Sequence, residues 1–287
     1  MFTNGQKFDL RAAPMHIDSV RLRVRDLDRM AAFYQQVIGL ALLEKQGGRA
    51  ILGTGGKPLL VLDGDASLAP RDPNAAGLYH TAFLLPERAD LARWLAFVIR
   101  NRIPLQGASD HIVSEAIYLA DPEGNGIEVY ADRPVEGWTD PDGGIRMATD
   151  PLDAEDLLRQ AAGREWQGFP VAGLVGHVHL QVGNTAEAEA FYVGTLGFDR
   201  MADYPGAKFF GSGGYHHQLA GNVWHSRGAG RTPEDTAGLA EVRVRLRDAS
   251  LADELRRRAA AAGIPVREGD GQLTLHDPWG TAITFVQ

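Results

Sequence analysis

The sequence predicts an α+β fold built from four copies of one βαβββ module. Three observations predict it: an internal repeat, a switch within each copy from strand alternation to helical spacing, and a shared turn before a final strand. Residues 19–40 align without a gap on residues 177–198. Val20, Leu22, Val24, Phe33, Tyr34 and Gly39 fall on Val178, Leu180, Val182, Phe191, Tyr192 and Gly197. Self-similarity on this scale sets the whole architecture. Residues 77–131 and 238–286 form a second pair of copies. They open with GLYHTAFLLP and GLAEVRVRLR and reach Ile103-Pro104 and Ile264-Pro265 at the same distance. Both pass through an Asp-Pro-x-Gly turn, Asp121–Gly124 and Asp277–Gly280.

The modules are expected at about 16–64, 77–131, 175–225 and 238–287. The chain is thereby divided into residues 1–131, a bridging segment 132–174, and residues 175–287. In the first module Val20, Leu22 and Val24 alternate with Ser19, Arg21 and Arg23, as in a half-buried strand. Leu27, Met30, Ala31 and Tyr34 then recur at the spacing of an amphipathic helix. Gly39 is placed to end that helix, and Asp28 and Thr185 are first-turn or capping residues of the two equivalent helices. The other helices are expected near 88–100 and 250–262, with Gly263 ending the latter. Gly53–Pro58 (GTGGKP) lacks the spacing of a phosphate-binding loop and reads as a hairpin turn. The bridge holds a Pro-Asp-Gly-Gly turn and a short amphipathic helix near Ala154–Ala162.

Composition narrows the function. The 287 residues are 44% apolar and 23% charged, with a net charge of −8 and no cysteine. The acidic balance lacks the basic footprint of a nucleic-acid binder, and no apolar stretch is long enough to span a bilayer. Residues 1–14 lack the apolar core of a signal peptide, so a cytoplasmic protein is expected. Without thiols, disulfides, zinc fingers and iron–sulfur clusters are excluded. Any metal site must use His, Asp and Glu.

The copies differ where such ligands could sit. In the third module Val178, Leu180 and Val182 form the packed face, so His177, His179 and Gln181 share the opposite one. His80 stands at the equivalent point of the second module, and its last strand carries Glu128 with Tyr130. The matching positions elsewhere are Ser19, Glu241 and Thr284, so only modules 2 and 3 hold two imidazoles and a carboxylate together. That set leaves coordination positions open and suits non-haem Fe(II) oxygen chemistry. Taken singly, each of these histidines is more readily a hydrogen-bonded core residue than a ligand; their concentration in two modules of four singles them out. Tyr118 lies ten residues before Glu128, and His111 precedes it. His216 and His217 are adjacent in the segment read as the last strand of module 3, so only one can enter the cleft, and the first module has Leu59 at the position of His217. Phe169, Phe210, Trp138 and Trp224 are expected in the core.

On the motifs GLYHTAFLLP, SEAIYLADPEGNGIEVYADRP, GHVHLQV and GGYHHQLAGNVW, the chain resembles the vicinal oxygen chelate superfamily. Within it the resemblance is to two-domain extradiol ring-cleaving dioxygenases, the catechol 2,3-dioxygenases of the bacillus type, and it covers nearly the whole chain. The resemblance implies Fe(II), or Mn(II), on His80, Glu128 and His177; other divalent metals can occupy such a site on purification. It implies His217 as acid–base residue, Tyr118 as substrate-binding residue and His111 as a supporting histidine. It further implies a small aromatic diol and O₂ as reactants, and a homo-oligomer. Many relatives draw all three ligands from the C-terminal half. Here module 4 is blank, so the modules must pair into two incomplete barrels, with modules 2 and 3 closing the metal cleft. The fold also serves hydroquinone dioxygenases, glyoxalase-like isomerases and proteins that sequester aromatic compounds, which are the alternatives.

Overall fold

The computed structural model describes residues 5–139 and 144–287. Pro141–Gly143 of the expected Pro-Asp-Gly-Gly turn lie outside the described residues. The first module comprises β1 (Met15–Val24), α1 (Leu27–Phe33), β2 (Ala41–Gln46), β3 (Arg49–Thr54) and β4 (Lys57–Gly64). The second comprises β5 (Gly77–Leu84), α2 (Arg88–Arg100), β6 (Gly107–Asp110), β7 (Ser114–Ala120) and β8 (Gly126–Asp132). The bridge contributes β9 (Asp150–Pro151) and α3 (Ala154–Arg159), a helix shorter than expected. The third module follows as β10 (Leu174–Gln181), α4 (Thr185–Glu189), β11 (Asp199–Tyr204), β12 (Ala207–Gly211) and β13 (Leu219–Asn222). The fourth is β14 (Gly238–Leu246), α5 (Ala249–Ala261), β15 (Arg267–Gly269), β16 (Gln272–His276) and β17 (Ala282–Val286).

The strands form two sheets. One runs β15-β16-β17-β14-β1-β4-β3-β2, and the other β11-β12-β13-β10-β5-β8-β7-β6-β9. Module 1 therefore pairs with module 4, and module 2 with module 3, giving two half-barrels. Local signals explain the helices that link the strands. Asp26 caps α1 by accepting from the Arg29 amide at 3.0 Å, with Asp28 in the first turn. In α4 the cap is Asn184, which accepts from Ala186 and Glu187; Thr185 is the first helical residue. Both helices relax into a π-helical turn, Tyr34–Ile38 and Ala190–Thr195. Gly39 ends the first of these at φ +84°, where a side chain would also strike the backbone of Phe169 in the bridge. In α2, Leu91, Trp94, Leu95 and Val98 are buried as one stripe, and Trp94 donates to the Val37 carbonyl at 2.9 Å.

One apolar core runs through all four modules. Two repeated polar ties lie within it. Tyr34 donates to Asp121 at 2.9 Å, and Tyr192 donates to Asp277 at 2.9 Å. Each aspartate also accepts backbone amides of its own Asp-Pro-x-Gly turn. The aligned tyrosines thus tie the helix of one module to the last hairpin of the next.

The pairing of β10 with β5 contains two one-residue bulges. Val175 faces Phe83 and His177 faces Ala82, leaving Gly176 extra; His179 faces His80 and Leu180 faces Leu78, leaving Tyr79 extra. Such insertions re-aim neighbouring side chains. Gly176 is also the floor on which Tyr130 rests, since a Cβ there would lie 1.8 Å from the tyrosine oxygen. Gly176→Ala is expected to destabilise the protein by about 1–3 kcal/mol in urea denaturation. Tyr130→Phe in the same background should recover part of that loss, because it removes the atom in conflict.

Candidate metal centre

The central strands of the second sheet bring the expected ligands together by register. Ala82 on β5 faces His177 on β10 and Glu128 on β8. His80 lies two residues along β5, on the face Ala82 shares. The small side chain of Ala82 leaves the space between the three larger ones. His80 Nε2 is 3.1 Å from Glu128 Oε2, His177 Nε2 is 3.4 Å from the same oxygen, and the two nitrogens are 3.4 Å apart. Metal–ligand bonds of about 2.1 Å place neighbouring donors about 3.0 Å apart at right angles and about 3.4 Å apart at tetrahedral angles. The observed triangle fits one cation on one face of its coordination sphere. Among the described residues this is the cluster of His and carboxylate groups able to hold a metal ion.

Electrostatics suit the same role. Burial opposes ionisation of Glu128, yet the two imidazoles beside it hold its carboxyl well below the usual range. Burial keeps His177 neutral, its pKa pushed down to about 4 against the pull of Glu128. Glu128 and His177 are therefore in the deprotonated forms that binding of a metal would require at neutral pH. With two imidazole ligands and one carboxylate, a divalent site would keep a net positive charge.

Tyr118 pairs with Glu128 across β7 and β8. Burial, then the neighbouring Glu128 charge, raises its pKa well above the ordinary value, so it remains a phenol. Its oxygen is 2.5 Å from His111 Nε2, and His111 Nδ1 is 2.6 Å from the Ala148 carbonyl. His217 packs on His177 with ring centres 4.1 Å apart. His216 and His217 precede β13 rather than lying in it, so the bend and not strand alternation separates them. His217 lines the cleft; His216 turns away to Asp132, its Nε2 3.0 Å from the carboxylate. The two Nδ1 atoms are 2.8 Å apart. This orients His217 through a buried Asp132–His216 chain, and leaves its Nε2 for the cleft.

These groups line a cavity of about 480 Å³ with Tyr79, Phe209 and Trp224 among its walls. That size suits a small organic ligand. Phe169, Phe210 and Trp138 are core residues as expected. Trp224 is not: it is 42% exposed and stands on the cavity wall, with its indole donating to the Pro205 carbonyl.

Comparison with known proteins fits this geometry. The glyoxalase/bleomycin resistance protein/dioxygenase superfamily model matches residues 16–129 and 174–285. The chain is 39% identical over 277 residues to the catechol-2,3-dioxygenase of Bacillus subtilis (strain 168), covering 94% of this chain and 97% of that protein. The chain belongs to this superfamily, and within it to the extradiol dioxygenases. A shorter match, 34% identical over 76 residues, is to biphenyl-2,3-diol 1,2-dioxygenase 2 of Rhodococcus globerulus; it covers 25% of this chain and 38% of that protein. Among solved structures, glyoxalase I from Zea mays shares the fold at a TM-score of 0.58 and 17% identity, over 96% of this chain and 94% of that one. A Bacillus subtilis protein provisionally classed as a dioxygenase aligns at a TM-score of 0.62 and 16% identity, over 95% and 86% of the two chains.

Several cleft residues of this dioxygenase had no distinct sequence signal. Ala82 matters for its size, and Tyr79 enters through a bulge. Met147, Ala148 and Thr149 reach the cleft from the bridge. Asp132 is legible only in hindsight, as the end of the strand that carries Glu128. The register also revises one equivalence. Val20 pairs with Leu60 whereas Val178 pairs with Leu219, so the counterpart of His217 is Pro58 and not Leu59.

The buried histidines set a pH dependence for the metal-free protein. The unfolded chain takes up protons near pH 6.5 that native His177 refuses until about pH 4. Stability is then complete above pH 6.5 and falls as the pH drops toward 4, by about 3 kcal/mol from His177 alone. Urea denaturation at pH 7, 5.5 and 4.5 should show this loss, reduced in His177→Asn.

Proposed function

We propose that the protein is an Fe(II)-dependent dioxygenase that opens a catechol-type ring beside its two hydroxyls and places both atoms of O₂ in the product. The observation that carries this reading is the convergence of His80, Glu128 and His177 at the floor of an aromatic-walled cavity. The similarity to a catechol-2,3-dioxygenase over nearly the full chain supports it. The chemistry of the donor set suits iron, and Mn(II) fits the same atoms.

His80 Nε2, His177 Nε2 and a Glu128 oxygen would hold the ion, which supplies the Lewis acidity that lowers the pKa of a diol and the electron density that O₂ requires. The chain's own residues do the rest. Tyr79, Phe209 and Trp224 bind the flat faces of a ring and exclude water from it. His111 Nδ1 donates to the Ala148 carbonyl, so its Nε2 accepts from Tyr118 Oη, whose lone pairs are left to accept a hydrogen bond from a substrate hydroxyl. His217 is kept neutral by burial first and by the surrounding imidazoles second. It can accept a hydroxyl proton on Nε2 and return it later, while His216 and Asp132 hold its ring in place. We assign the reaction to a cytoplasmic homo-oligomer acting on a small aromatic diol.

Anaerobic reconstitution with Fe(II) should give one metal per chain. Aerobic assay across a panel of catechols should then show O₂ uptake equal to substrate consumed, with a yellow ring-opened product. Bound iron with no O₂ uptake on any diol would overturn the proposal. His217→Phe should retain iron while turnover falls about 10²–10⁴-fold. His80→Ala, Glu128→Ala and His177→Ala should each lose stoichiometric iron on dialysis; a variant that keeps it removes that residue from the ligand set.

A further inference from the structure

The other half-barrel has a concave face of its own, with a larger cavity of about 890 Å³. Its strands repeat the register of the metal sheet, so each position has a counterpart. Ser19, Glu241 and Thr284 stand where His177, His80 and Glu128 stand, and Thr274 bonds Thr284 at 2.9 Å where Tyr118 faces Glu128. Arg21, the counterpart of His179, donates from Nε to Glu241 at 2.9 Å and from Nη1 to Asp63 at 3.2 Å. A guanidinium therefore sits beside the only carboxylate at the ligand positions.

Beyond this plug the cavity is strongly cationic. Arg11, Arg21, Arg49, Lys57, Arg243 and Arg245 all line it, against Asp18 and Glu241. Three of these cations have carboxylates of their own: Arg21 as above, Arg49 with Asp63, and Arg245 with Asp18. The others do not. Arg243 comes no nearer to a carboxylate than 3.9 Å, at a glutamate already engaged by Arg21. Arg11 and Lys57 make no ion pair among the described residues. Arg243 and Arg245 occupy the positions of Ala82 and Leu84, so arginines replace small and apolar residues on a concave wall, in a chain whose net charge is −8. Positive charge gathered in a cleft with low-dielectric walls focuses its field on anions.

His16, 9% exposed, lines the cavity beside these cations. Ile17, Ile51, Leu59 and Val61 add apolar wall between the charged groups.

We infer that this cleft is a binding site for a small organic anion carrying two or more carboxylate or phosphate groups. Arg243, Arg11 and Lys57 supply the unmatched charge, and the apolar wall receives the carbon skeleton. The site is separate from the metal centre and does not depend on the reaction proposed there.

Calorimetric titration of the metal-loaded protein with tricarballylate and with fructose 1,6-bisphosphate tests it, at ionic strength held constant with NaCl. The two probes separate a carboxylate ligand from a phosphate one. At least one should bind with one site per chain, and Arg243→Gln and Lys57→Glu should each weaken it at least tenfold. His80→Ala, titrated without metal beside the metal-free parent protein, should leave the affinity unchanged. Absence of heat above the NaCl control for both probes overturns the inference. So does binding that survives both charge variants, or binding lost in His80→Ala.

Discussion

The candidate centre depends on one constraint, the alignment of three adjacent strands. Glu128 and His177 meet only because each lies opposite Ala82, on the strand between them. His80 joins them from the next position on the same face. A larger residue in place of Ala82 would fill the gap in which a cation fits. The bulges at Gly176 and Tyr79 bracket this point and set how the side chains enter the cleft. A slip of one residue in any of the three strands would turn that strand's donor to the packed face.

The two half-barrels show two ways of handling a buried carboxylate at the same place. In one, Glu128 faces the imidazoles of His80 and His177, an arrangement that suits a divalent ion. In the other, Glu241 faces the guanidinium of Arg21 and needs no metal. The backbone register is shared, so the difference lies in side-chain charge. Removing a carboxylate from water is expensive without a cation beside it, and each sheet meets that requirement in its own way. The guanidinium of Arg21 engages Glu241 Oε2, and the remaining arginines turn the second cleft toward anions.

The repeat made much of the architecture legible. Gapless matches such as Val20 with Val178 and Tyr34 with Tyr192 are core positions, and their periodicity reports directly on strand and helix. The candidate cluster of His80, Glu128 and His177 was legible for the opposite reason, as polar differences set against an apolar pattern that the modules share. Less was legible where geometry depends on an added residue. The pair His216 and His217 reads as part of a strand, yet an insertion before β13 places it in a bend and moves the register against β4. Trp224 reads as core because it is large and apolar; only the fold shows its indole anchored to Pro205 with one face open to the cleft.

The sequence by itself determined the four-module α+β plan, the need for histidine and carboxylate ligands, and the modules able to provide them. These follow from local periodicity, composition and internal comparison, which need no distance information. The blank positions of modules 1 and 4 also called for modules 2 and 3 to share a cleft, as the sheet order has it. Tertiary structure alone decided the one-residue bulges between β5 and β10 and the buried aspartate and histidine that orient His217. It alone also decided that the second cleft carries unmatched positive charge. Each of those depends on residues far apart in sequence, and chain order carries no direct record of where a strand bulges or which charges find partners.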